Sequence, residues 1–146
     1  MKASPDAHND YVRAIDEKLG GKARALVRFI KAWKCYRDVP ISSFYLELRV
    51  AKYASTEKTI VHEIDVRNVL KLLWDNQLAT MYDPMGVSGS IHPCKSDALR
   101  NDALSKLDTA LTRAEKARET SLKGDVAGAF DWWRLLYNYE FPTYYY

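Results

Sequence analysis

Apolar residues recur every three to four positions along most of this chain, the spacing that lines one face of an α-helix. Pro5 to Leu19 reads as the first helix, with Ser4 as a cap, Pro5 at its first position and Gly20-Gly21 ending it. The second runs from Lys22 to about Arg37. In it Leu26, Phe29, Ile30 and Trp33 fall at i, i+3, i+4 and i+7 and make one buried stripe. Asp38-Val39-Pro40 stops it, because proline lacks an N–H and disfavours helical backbone in the residue before it. Ser42 or Ser43 then caps a third helix that reaches about Ala54. A fourth spans about His62 to Leu78, with Ile64, Val69, Leu70, Leu73 and Trp74 inward. Residues 79–95 hold two glycines and two prolines and read as a long irregular loop, of a length that is often functional. Helix five runs from about Ser96 to Leu122 on an alanine- and leucine-rich face. Helix six, from Asp125 to about Tyr139, carries Phe130, Trp133, Leu136 and Tyr137. The apolar, aromatic tail FPTYYY is expected to dock on the bundle.

The pattern predicts an all-α fold, a compact bundle of about six helices in one domain covering residues 1–146. Composition narrows the setting. No apolar run approaches the ~18–20 residues of a membrane span. Met1 is followed by polar residues without the apolar stretch of a signal peptide, so the expected location is cytoplasmic, without a membrane partner. Cys35 and Cys94 lie far apart, fit no metal or redox spacing and are expected to be reduced structural thiols. His8, His62 and His92 are scattered. His62-Glu63 lacks the second histidine of a zincin helix and reads as a helix start, so no metal ligand is expected.

Charge is uneven. Residues 1–52 carry 11 Lys/Arg against 6 Asp/Glu, a balance of +5, whereas the remainder has 11 against 13, or −2. A positive first third suits an anionic ligand, and equally a solvated basic helix face. The sharpest local combination lies there. Lys31 follows Phe29-Ile30 and so emerges at the edge of the buried stripe, where its stem packs while its ammonium reaches out. Ser43 sits at a helix N-terminus, where free N–H groups and the dipole favour an anion. Phe44 follows, and an aromatic face beside a phosphate is a surface on which a base stacks. The same three residues also suit a surface charge, a cap and a core ring. Nucleic acid is not an expected partner, because the basic residues are not interleaved with several exposed aromatics.

The stretch IKAWKCY, then PISSFYLEL, resembles the oligoadenylate synthetase pattern VKHWYQ…LPPQYALELL, and with it the helical C-terminal half of cGAS/DncV-like nucleotidyltransferases. SPDAHNDYV and the Asp83-Pro84 pair are similar to that family too, and the likeness extends from about Ser4 to Phe141-Pro142. The resemblance implies the substrate-binding fold shared by that family and the poly(A) polymerases. It implies nucleoside triphosphates as ligands, with Lys31 and Ser43 on the triphosphate and Phe44 under the base. Glu47 matches the glutamate of LEL and is read as structural. Phe44 in place of the usual tyrosine keeps the stack and loses a hydroxyl.

The resemblance implies an enzyme that joins nucleotides into cyclic or linear oligonucleotide messengers in anti-phage signalling. Mg²⁺ would serve the complete enzyme without being bound by this chain. The family's metal-binding carboxylates follow a Gly-Ser turn on an N-terminal sheet, and no such segment occurs here. No catalytic residue is therefore expected in the chain, which would work with a missing or separate catalytic half. One charge-assisted contact of ~1.5–3 kcal/mol and one stack of ~1–3 kcal/mol sum to ~3–6 kcal/mol before ordering costs, which leaves millimolar affinity or weaker. The alternative is a stand-alone helical interaction or regulatory module without catalysis.

Overall fold

The computed structural model describes residues 5–86 and 89–140. The fold is all-α. Six helices follow one another: α1 (Pro5–Lys18), α2 (Lys22–Tyr36), α3 (Ser43–Ala54), α4 (His62–Asp75), α5 (Asp97–Leu122) and α6 (Val126–Leu136). Between α4 and α5 a small antiparallel hairpin joins β1 (Met81–Tyr82) to β2 (Ser90–Ile91), with Met81 opposite Ile91 and Tyr82 opposite Ser90. The Ser4 cap and the docking of FPTYYY lie outside the described residues.

Helix starts follow side-chain chemistry. The hydroxyls of Ser42 and Ser96 accept the N–H groups of Tyr45 and Leu99, and the Asp125 carboxylate accepts that of Gly128. Ser42 rather than Ser43 is therefore the cap of α3, and Ser43 is its first residue. Helix ends are set by left-handed residues: Asp38 (φ 51°) after α2, Gln77 and Leu78 (both φ 54°) after α4, Asn138 (φ 54°) and Tyr139 (φ 63°) after α6. The last two pairs shorten α4 and α6 by about three residues relative to the periodicity, because the apolar positions continue into the turn that follows. Leu78 and Tyr137 stay buried although neither is helical.

One core runs through the described residues. The α2 stripe of Leu26, Phe29, Ile30 and Trp33 is buried together with Tyr45, Leu46 and Leu48 of α3. From α4, Val66, Val69, Leu70 and Leu73 point inward, while Ile64 and Trp74 flank them half-buried. On α5 the inward face is built of small residues, with Ala103, Ala110, Ala114 and Ala117 around Leu107 and Leu111. Short side chains let neighbouring helices approach closely, and α4 and α6 pack on this face. Phe130 is an exception to the expected inward set of α6: it is 43% exposed, with Val126 one turn before it at 61%.

The hairpin interrupts what the glycine and proline content predicts to be irregular chain. Asp83 turns it, accepting the Met85 N–H at 2.9 Å while its own N–H donates to the Gly89 carbonyl at 2.8 Å. Its other carboxylate oxygen lies 2.9 Å from His8 Nε2, so the hairpin is tied to α1 by a buried hydrogen bond.

Candidate functional site

The α2–α3 connection decides how Lys31, Ser43 and Phe44 meet. After Asp38 reverses the chain, Val39 and Ile41 are buried, and the Ser42 N–H donates to the Pro93 carbonyl at 2.8 Å. This fixes where α3 begins. In a helix the first N–H groups have no carbonyl one turn behind them. Tyr45 gives its N–H to Ser42 Oγ and Leu46 bonds the Ser42 carbonyl, whereas the N–H groups of Ser43 and Phe44 have no acceptor among the described residues.

Lys31 reaches this edge from α2. Its ammonium lies 3.5 Å from Glu47 Oε2, and Glu47 stands one turn after Ser43 on the same face of α3. Lys31, Ser43 and Glu47 thus share one edge of the α2–α3 pair. The Lys31 and Glu47 side chains are 37% and 38% exposed, so their ion pair is solvated and worth little, up to about 1 kcal/mol. An incoming phosphate can take the ammonium from Glu47 at small cost. Glu47, read from the sequence as structural, is therefore the counter-ion of Lys31. That pairing is visible only when α2 and α3 are set side by side.

Phe44 is half-buried against the core, and its ring stands perpendicular to the His8 imidazole, with centroids 4.8 Å apart. His8 is held by Asp83, so α1 and the hairpin together fix one side of the Phe44 ring. The two members of this pair lie 75 positions apart, and their contact is not legible from either segment alone. Arg28 is exposed and Lys34 half-buried on α2, adding positive charge beside Lys31.

Carboxylates suited to a metal do not gather here. Asp10 faces Arg13 at 3.4 Å, Asp16 accepts the Arg24 N–H at 2.9 Å, and Asp83 is engaged by His8. Among the described residues no group of three or more His, Cys, Asp or Glu could hold a metal ion. The Mg²⁺ implied for the complete enzyme thus finds no fitting ligand set among them. Both cysteines are free thiols; Cys35 is exposed and Cys94 half-buried, with burial pushing the Cys94 thiol up. Among the described residues no helix is long and apolar enough to cross a membrane.

His62, expected only to start a helix, does begin α4, but its ring enters an aromatic cage. Phe29 lies 4.2 Å away, Trp133 4.9 Å and Tyr137 6.4 Å, centroid to centroid. Burial there lowers its pKa from 6.5 to about 4, which keeps the ring neutral. It is a core group, remote in role from the α2–α3 edge. No protein-family model matches this chain, and none of the curated proteins matches it at a significant level.

Proposed function

We propose that this chain is a helical nucleotide-binding half of a nucleotidyltransferase of the oligoadenylate synthetase and cGAS/DncV-like type. The complete enzyme would make oligonucleotide messengers in the cytoplasm. The observation that carries the reading is the shared edge of α2 and α3, where the Lys31 ammonium is paired with Glu47, one turn after Ser43, and the N–H groups of Ser43 and Phe44 have no acceptor among the described residues. The Lys31 ammonium and the N–H groups of Ser43 and Phe44 take the phosphates, and the Phe44 ring takes the base. Glu47 holds Lys31 in place between turnovers and yields it to the triphosphate. The carboxylates that hold Mg²⁺ belong to a catalytic half outside these residues, which leaves the chain without activity by itself.

The test is an amide NMR titration of the 146-residue chain with ATP. Saturable shifts at Lys31, Ser43, Phe44 and Glu47 are expected, with a Kd on the order of millimolar. Lys31→Ala and Phe44→Ala should each weaken it about tenfold. Shifts that avoid this edge, or affinity untouched by both substitutions, would overturn the assignment. A second reading, an interaction module without catalysis, draws on exposed Leu122, Val126 and Phe130 at the α5–α6 end. It predicts that ATP leaves the spectrum unchanged.

A further inference from the structure

A sizeable cavity lies off the α2–α3 edge. It is an open cleft of about 1040 Å³ between the α2–α3, α4–β1 and β2–α5 connections. We propose that this cleft is a second ligand site, and that it takes a phosphomonoester carried on an apolar body.

The walls are built and pinned. Ser42 N–H bonds the Pro93 carbonyl across the cleft at 2.8 Å, Arg100 Nη2 bonds the Gln77 carbonyl, and Arg49 Nη2 and the Tyr45 hydroxyl both bond the Ala79 carbonyl. Three connections are thereby held as one surface, which lowers the ordering cost of binding. The apolar lining comes from Pro40, Ile41, Leu78, Pro93 and Leu99. Of these, Leu99 is 38% exposed although it stands in the first turn of a long helix. An apolar body laid in the cleft would cover it.

The polar lining is cationic. Lys95 is exposed and has no carboxylate partner among the described residues, and the guanidinium of Arg100 meets only a carbonyl there. Asp97 offsets one of these two charges and leaves the cleft positive. The caps of α3 and α5, Ser42 and Ser96, both line it, so two helix starts add partial positive charge to the same space. The Arg100 charge is felt at Cys94 and Tyr45, where it opposes the upward push of burial on both groups. A cation pair over apolar walls selects an anion with an apolar body over a free ion or a neutral ring.

The probe is 1-naphthyl phosphate, followed by amide NMR on the 146-residue chain, with 1-naphthol as the uncharged control. Saturable shifts from Cys94 to Arg100 are expected, weakened by added salt and about fivefold or more by Lys95→Glu, which replaces an exposed cation of the cleft. 1-Naphthol should bind at least fivefold more weakly. Equal affinity for 1-naphthol, indifference to Lys95→Glu, or shifts confined to Lys31, Phe44 and Glu47 would each overturn the proposal. The last outcome would leave the α2–α3 reading standing. Conversely, loss of ATP binding at that edge leaves the residues from Cys94 to Arg100 free to report on the cleft.

Discussion

At the scale of single residues, the position of His62 makes a proton costly. Phe29, Trp133 and Tyr137 surround its ring and offer no charge to stabilise an imidazolium. Above pH 6.5 the folded and unfolded chains both carry a neutral ring. Below it the unfolded ring takes a proton that the folded one refuses until about pH 4. Stability therefore falls as the pH drops through this window and levels off beneath it, by up to an amount on the order of 3 kcal/mol. His62→Phe keeps an aromatic ring and removes the titration. Urea unfolding at roughly pH 7 and roughly pH 4.5 should show a clear loss for the parent chain and a smaller one for the variant. Equal losses would mean that other groups govern acid lability.

The same scale explains what the sequence could and could not reveal of the candidate site. Lys31, Ser43 and Phe44 are legible because each chemistry sits at a recognisable place: a stripe edge, a helix start, an aromatic beside it. Glu47 and His8 are not, since their roles arise from contacts across 16 and 36 positions. No local pattern encodes such a separation.

At the scale of elements, α4 shows how a helix without a conventional cap begins. Val61 is extended and offers no side-chain acceptor. Instead the Asp65 carboxylate, one turn inside, accepts the Val61 N–H at 2.6 Å and the Tyr53 hydroxyl through its other oxygen. Asn68 in turn donates to the Tyr53 oxygen at 3.3 Å. Burial, then the Asp65 bond, push the Tyr53 phenol up from its ordinary value, so it stays a donor. Asp65→Ala removes the acceptor of the part-buried Val61 N–H and the closer acceptor of the Tyr53 hydroxyl, leaving the latter Glu57 at 3.4 Å, and should cost about 1–3 kcal/mol in urea unfolding. Tyr53→Phe should cost about 1 kcal/mol, and the pair less than the sum, because they remove one shared bond. A cost for Asp65→Ala below about 0.5 kcal/mol would show that water replaces the carboxylate. Apolar periodicity placed α4 within a few residues and could not anticipate a buried aspartate. The hairpin escaped for a different reason: strands of two residues are too short for alternation to register, and its pairing depends on Asp83 turning the chain.

At the scale of the whole molecule, the helices are unequally anchored. The small-residue face of α5 packs on both α4 and α6, whereas among the described residues α1 buries only His8, Val12 and Ile15, with Leu19 just beyond its end. The His8–Asp83 bond is thus a buried polar tie between α1 and the rest, and it also braces the Phe44 ring. A buried bond to a carboxylate contributes about 1.5–3 kcal/mol, and its loss acts where the rest of the anchoring is thinnest. His8→Ala should therefore loosen α1 first. In native-state hydrogen exchange the amides of α1 should lose roughly tenfold to hundredfold protection, while those of α4 and α5 change little. On the role proposed for Phe44, ATP should at the same time bind more weakly, because the ring is freed on one side. Uniform loss across all helices would make α1 part of a single cooperative unit. Unchanged protection in α1 would mean that its apolar anchors suffice without the histidine.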